Sequence, residues 1–243
     1  MLLIEIVDKD KNSSFIVEIT HEVEDFKKEL PFDTKLNVWK EEVYFTLPIE
    51  LRAEYKVYRV RRGRVYYWPP GKALCLFYGV NEPYTSVAYV GEYVGPLNLL
   101  KIVEDGDKAT VIEHSFADEF ISLTKKLMDK EYSVGTPLSD GVRIFVASKY
   151  SGRARIAFTV YKEEYGYHLE SEALFKYDEG YQTLRTVYEL KRLLRGTKYL
   201  RADISEEGYV VITAGVEDEN KLIESINELE IVYPRVVNKL WSE

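Results

Sequence analysis

Five aromatic side chains with polar tips, Trp39, Tyr44, Trp68, Tyr78 and Tyr89, are the residues of this sequence best suited to gripping a ligand. Indole and phenol rings bury large apolar faces and keep one hydrogen-bonding tip, the combination that lines peptide and small-molecule grooves. In a barrel the same residue types also serve as core or rim packing, because alternate side chains point inward. A second group, Arg59, Arg61, Arg62 and Arg64, concentrates positive charge in a short stretch. Within it, Arg61, Arg62 and Arg64 are the candidates for capturing a phosphate or an acidic tail, since guanidinium forks bind both. The plainer reading is a solvated turn, and alternation places Arg59 and Arg61 on an outward face opposite Val60.

Other chemistries lack their residues. His21, His114 and His168 fall in separate elements without H-x-x-x-H or H-x-H spacing, so they predict no metal site. His114 reads as a junction residue. Cys75 is the only cysteine, which excludes an internal disulfide and a cysteine cluster. Its setting, ALCLFYG, predicts a buried thiol with nothing nearby to activate it. Gly71-Lys72 lacks a preceding glycine loop, and Ala73 stands where a Mg²⁺-binding hydroxyl would be needed. There is no G-x-S-x-G elbow. Glu41-Glu42 and Glu163-Glu164 read as solvated strand and turn charges. No catalytic residue, metal or cofactor is therefore expected.

The chain has 243 residues, enough for two domains that each bury a core without covalent staples. Its formal charge is −8, and neither half is basic: residues 1–112 carry 15 basic and 18 acidic side chains, the remainder 18 and 23. Such a surface repels phosphate backbones, so nucleic acid is not an expected partner. No apolar run is long enough to cross a bilayer, and the first residues lack the features of a leader. A cytoplasmic protein is expected. Gln182 is the only glutamine beside abundant Glu, Lys, Val and Tyr, a bias associated with thermophiles.

The elements that must position these residues follow from periodicity. LLIEIV and SSFIVEIT flank the turn Asp8-Lys9-Asp10-Lys11-Asn12 and predict a hairpin. His21 to Lys28 is a short helical stretch. EEVYFTLP, EYKVYRV, GRVYYWPPG, ALCLFYG and TSVAYVGEYVG each read as strands bounded by Gly or Pro. After the polar turn Glu104-Asp105-Gly106-Asp107, KATVIEH supplies a last strand. Many short strands with turns between them predict a closed antiparallel barrel over residues 1–112.

Residues 113–243 predict an α+β domain in the order α-β-β-β-α-β-β-α. Ser115 with Asp118 is read as a capping box, with Phe116, Phe120, Leu123 and Leu127 on one helical face. VRIFVAS, ARIAFTVYK and YHLESEALFKY are the next strands. A helix from Gln182 to Arg195 presents Leu184, Val187, Tyr188, Leu190 and Leu194, and Gly196 stops it. KYLRADIS and GYVVITAGV precede a last helix from Asp218, which Pro234 is expected to interrupt before VVNKLW. This order resembles, in topology alone, the fold of type III secretion chaperones and related proteins that bind other proteins.

One resemblance rests on motifs. The run from Gly63 to Gly79, with its Tyr67-Trp68-Pro69-Pro70-Gly71 turn before an apolar strand ending in Gly, is similar to the signature of the cyclophilin-like barrel family of small bacterial and archaeal proteins. Trp39, Glu42, Tyr44, Phe45 and Pro48 resemble that family's W-x-x-E-x-Y-F-x-x-P element, and Leu30-Pro31-Phe32 fits upstream. Two loops depart: Gly63-Arg64 stands where the family has Gly-Asp, and Asn81-Glu82-Pro83 where it has Thr-Pro. The resemblance implies a cyclophilin-like barrel. It implies no catalysis, because the prolyl-isomerase F-H-R-type motif is absent.

These readings converge on a binding protein that recognises a peptide or small ligand without bond chemistry. The alternative is a prolyl isomerase, with Arg52 or Arg64 donating to a prolyl nitrogen. A third is a structural protein that forms oligomers with further copies of the chain. The expected partner is a protein or peptide, with neither nucleic acid nor membrane.

Overall fold

In a computed structural model the protein is described over residues 1–52, 54–152 and 154–241. Two compact units emerge. The first comprises Met1–Ile121 with Gly135–Arg143, the second Ser122–Val134 with Ile144–Glu243.

The first unit runs β1 (Leu2–Asp8), β2 (Ser13–Ile19), α1 (Val23–Glu29), β3 (Phe32–Lys35), β4 (Asn37–Val38), β5 (Glu42–Thr46), β6 (Lys56–Val57), β7 (Arg64–Trp68), β8 (Ala73–Phe77), β9 (Val87–Val94) and β10 (Lys108–Glu113). The strands form one sheet in the order β3-β10-β1-β2-β9-β7-β8-β5-β4, with β6 added to β9. β3 and β4 stand at opposite ends of that order, yet only the buried Leu36 separates them in the chain. The chain thus draws both sheet edges together, and Thr34 Oγ1 donates to the Thr46 carbonyl at 3.2 Å across the seam. The strand pattern predicts a closed antiparallel barrel, and the result is one that is nearly closed. Its interior is filled: Ile4, Ile6, Phe15, Val17, Phe45, Tyr67, Leu74 and Tyr93 belong to one continuous buried cluster. The strand expected over EYKVYRV shrinks to β6, because Tyr55 and Tyr58 are exposed and no buried face holds it to the sheet.

The outer face of β1 and β2 is also covered. Glu5 and Ser14 point away from the barrel interior, and the segment Gly135–Arg143 lies against them within the same unit. That segment carries the short hairpin of β12 (Leu138–Ser139) and β13 (Val142–Arg143), preceded by β11 (Ser133–Gly135). A Cβ on Gly135 would stand 2.7 Å from Ile16 Cγ1, so only glycine permits this approach. Glu5 accepts from Ser14 Oγ at 2.7 Å and from Arg143 Nη1 at 2.6 Å. His114 Nδ1 lies 2.9 Å from its other oxygen. Because His114 Nε2 accepts the Thr136 N–H at 3.1 Å, the ring proton sits on Nδ1 and is donated to Glu5. His114 is therefore a buried structural partner, where the sequence suggested only a junction residue.

α2 (Ile121–Met128) follows a 3-10 turn at Asp118–Phe120 and belongs to the second unit from Ser122 onward. Ser115 does not cap it; Ala117 precedes the turn instead. Phe120, Leu123 and Leu127 are buried as the periodicity predicts. β14 (Phe145–Ser151), β15 (Ala154–Glu163), β16 (Gly166–Ser171), β17 (Phe175–Lys176), β18 (Arg201–Ile204) and β19 (Tyr209–Val216) build a sheet in the order β11-β14-β15-β16-β19-β17, with β18 also on β19. VRIFVAS and YHLESEALFKY, each read as one strand, are each divided in two. α3 (Tyr181–Leu193) buries Leu190, whereas Leu184 and Tyr188 of its expected inner face are exposed. α4 (Glu219–Trp241) packs on β15, β16 and β19 and runs through Pro234 without a break. A proline inside a helix costs roughly 3 kcal/mol. Leu222, Ile226, Leu229, Tyr233 and Val236 are buried on both sides of it and hold the helix in register.

Burial alone would raise the Glu5 carboxyl, but the His114 and Ser14 hydrogen bonds and the Arg143 charge outweigh it and hold the group below 4.5. A lowered folded-state value means stability that is present above the unfolded value and lost as the pH falls through the folded one. Glu5→Ala should cost about 3–5 kcal/mol at pH 7, because it leaves Arg143 and His114 without their buried acceptor. Urea unfolding should show that cost shrinking below about pH 4.5. A loss under about 1 kcal/mol at pH 7 would contradict the assignment.

Candidate functional site

β8 is buried on both faces. Leu74 and Leu76 point into the barrel, while Ala73, Cys75 and Phe77 point outward and join Tyr66 and Val87 in a second apolar cluster. Register carries this outer face across the neighbouring strands: Cys75 pairs with Tyr44 on β5 and with Tyr66 on β7, and Phe77 pairs with Glu42. Strand alternation alone therefore sets Glu42 and Tyr44 beside Cys75 on the outside of the barrel.

Loops complete a pocket over this surface. Trp39 comes from the β4–β5 turn, and Pro83 and Tyr84 come from the β8–β9 connection. Together with Glu42, Tyr44, Trp68, Cys75, Phe77 and Val87 they line a cavity of about 170 Å³. Trp68 ends β7 and is fixed from two sides. Its indole N–H donates to Thr85 Oγ1 at 2.8 Å. The Pro69–Gly71 turn folds back so closely that a Cβ on Gly71 would lie 2.4 Å from the Trp68 ring. The rings of Trp39 and Tyr84 stand 4.6 Å apart. The Lys40 ammonium rests over both, 4.4 Å from Trp39 and 5.4 Å from Tyr84.

Glu42 brings a carboxyl into this largely apolar setting and is only 6% exposed. Burial pushes its carboxyl up to about 7, against smaller opposing hydrogen bonds from the Cys75 thiol and the Asn81 amide. Asn81 Nδ2 lies 3.4 Å from Glu42 Oε2. Near neutral pH the pocket thus holds a carboxyl that switches between hydrogen-bond donor and charged acceptor. Burial, and then the Glu42 charge, push the Cys75 thiol well above its ordinary value. It is a packing thiol, as its strand context predicts.

Three of the five aromatics singled out in the sequence, Trp39, Tyr44 and Trp68, come together in the pocket. Tyr78 instead packs on the barrel core, with its hydroxyl donating to the Lys40 carbonyl at 3.1 Å. Tyr89 lies farther along the outer cluster, where its hydroxyl donates to Glu92 at 2.9 Å. The arginines are engaged separately. Arg61 donates its backbone N–H to Tyr66 Oη, Arg62 Nε donates to the Tyr78 carbonyl, and Arg64 Nε lies 3.3 Å from Glu92. Neither Arg52 nor Arg64 lines the pocket. Glu42 reads as solvated in the sequence but is buried in the structure. The signal for it was present: Glu42 and Tyr44 share a strand face, and that face meets Cys75 and Phe77. Pro83 and Tyr84 carried no such signal, because a loop's path over a sheet has no periodicity.

Comparison with known proteins bears on the same half of the chain. Residues 4–112 match the family model described as Cyclophilin-like. Among solved structures, the solution structure of a hypothetical protein from Archaeoglobus fulgidus is 30% identical over 46% of this chain and 94% of that one, with a TM-score of 0.39. No curated protein matches the chain.

The Glu42 carboxyl should titrate near pH 7 when followed by carboxyl-resolved NMR. Its folded-state value lies above its unfolded one, so the stability it contributes is complete below about pH 4.5 and is lost as the pH rises toward 7. A displacement of that size corresponds to about 3 kcal/mol. Glu42→Gln should remove most of this loss, narrowing the difference between urea unfolding at pH 5 and pH 8. A midpoint near 4.5 in the wild type would show the group solvated.

Proposed function

The chain belongs to the cyclophilin-like family through residues 4–112, and from that premise we propose that its barrel is a recognition module without bond chemistry. The pocket outside β5, β7 and β8 takes a small molecule, or one projecting side chain of a peptide, with an apolar body and an N–H or cationic head. The observation that carries this reading is the buried Glu42 carboxyl among Trp39, Tyr44, Trp68 and Tyr84.

A lone buried carboxylate costs several kcal/mol unless a donor or cation meets it. A ligand that brings a charge or N–H to Glu42 recovers that cost, and the aromatic rings add cation–π attraction of about 0.5–2 kcal/mol. Lys40, resting on Trp39 and Tyr84, supports the suitability of those ring faces for an ammonium. The volume of about 170 Å³ lies below the roughly 300–1,000 Å³ of drug-sized sites, so the occupant is small. Prolyl isomerisation is less well supported, because that chemistry needs a donor beside the proline pocket and neither arginine lies there.

Titration with n-butylammonium, and with butanol as its uncharged counterpart, tests the reading by calorimetry. Saturable binding of the cation is expected at pH 8, weaker by roughly tenfold at pH 5 where Glu42 is protonated. Glu42→Gln should abolish the preference for the cation, and Trp68→Ala should weaken both ligands. Equal binding by wild type and both variants would place the ligand elsewhere and refute the pocket. The rate of Xaa-Pro exchange in peptides should remain unchanged with the protein present.

A further inference from the structure

The turns Asp8-Lys9-Asp10-Lys11-Asn12 and Glu104-Asp105-Gly106-Asp107 are 98 residues apart at Asp10 and Lys108, yet the barrel brings them together. β1 pairs with β10 so that Asp8 stands opposite Ala109. Lys9 N donates to the Lys108 carbonyl at 2.8 Å, and Asp10 Oδ2 accepts the Lys108 N–H at 2.7 Å. The outcome is a cluster of Asp8, Asp10 and Asp107, each offering an oxygen within 4.8 Å of the others.

Clustered acids at a surface are common, but two of these are not at the surface. Asp8 is fully buried and Asp107 is 8% exposed. Asp8 Oδ1 accepts the Asp10 and Lys11 N–H groups at 3.0 and 3.1 Å, and Asp107 Oδ2 accepts the Glu104 N–H at 2.8 Å. Asp8 Oδ2 is buried and has no hydrogen-bond partner among the described residues. An orphaned carboxylate oxygen in that position costs well over the 1–3 kcal/mol of a neutral unsatisfied group. Lys11, in the same turn, pairs its ammonium with Glu104 at 3.0 Å.

We infer that Asp8, Asp10 and Asp107 form a binding site for a hard divalent cation, of the Ca²⁺, Mg²⁺ or Mn²⁺ class. Such ions take oxygen ligands at about 2.0–2.6 Å, so ligand oxygens around one ion lie within about 5 Å of each other. The spacing here meets that condition. Asp8 Oδ2 supplies the buried ligand, and the exposed Asp10 leaves a path for the ion and its remaining waters. A bound ion would clamp the β1–β2 turn to the loop before β10. This site is separate from the aromatic pocket and does not depend on it.

The competing account is that Asp8 and Asp107 share a proton. The whole chain, stripped with EDTA, distinguishes the two when titrated at pH 7.5 with CaCl₂, MgCl₂ and MnCl₂. The metal site predicts saturable binding of one ion with a dissociation constant between about 10⁻⁵ and 10⁻³ M. It also predicts selective Mn²⁺ broadening of the amides of residues 8–11 and 104–108, a readout that requires no variant. Asp10→Asn, at an exposed position, should weaken binding about tenfold or more without unfolding the barrel. Absence of saturable binding by all three ions, or broadening spread over other acidic residues, would overturn the proposal.

Discussion

Everything at the pocket depends on the period-two alternation of strands that are buried on both faces. In β8 that alternation sends Leu74 and Leu76 into the barrel and Ala73, Cys75 and Phe77 out of it. Five consecutive buried residues leave an outer face that water would wet unfavourably. The fold answers by covering it. Over β1 and β2 the cover is the segment 135–143, which meets Glu5 and Ser14 through hydrogen bonds from Leu138 N and Arg143. Over β5, β7 and β8 the cover is looser, formed by Trp39 and the β8–β9 connection, and the space it leaves is the pocket.

The two covers treat a buried carboxylate in opposite ways. Glu5 has three donors and stays ionised. Glu42 has a thiol and a distant amide and is pushed toward neutrality. A carboxyl satisfied in the folded chain is part of the architecture. One left short of donors inside an aromatic cavity is the group on which the proposed recognition rests. The same comparison separates Asp8, whose Oδ2 lacks a partner among the described residues, from the many solvated acids of this chain.

The barrel was legible because its signals are local. Alternation in ALCLFYG and GRVYYWPPG, turn residues between strands, and the motif from Gly63 to Gly79 all report on neighbouring residues, and they identify the cyclophilin-like fold. Trp39, Tyr44 and Trp68 were legible as candidates for the same reason. What was hidden depends on pairing across long separations. Glu42 reads as a surface charge until Phe77 is placed opposite it, and His114 reads as a connector until Glu5 is. The expected break at Pro234 failed where packing overrode propensity, because the apolar stripe of α4 is buried on both sides, and α3 keeps its expected limits but exposes Leu184 and Tyr188 despite its periodicity.

The central claim is that recognition takes place on the outer face of the sheet and not inside the barrel. A crystal of the protein soaked with a library of small amines, alcohols and aromatic fragments tests this directly. The account predicts fragments seated between Trp39 and Trp68, with amines directed at Glu42. Fragments found within the barrel among Tyr67, Leu74 and Tyr93, with the outer pocket unoccupied, would contradict it.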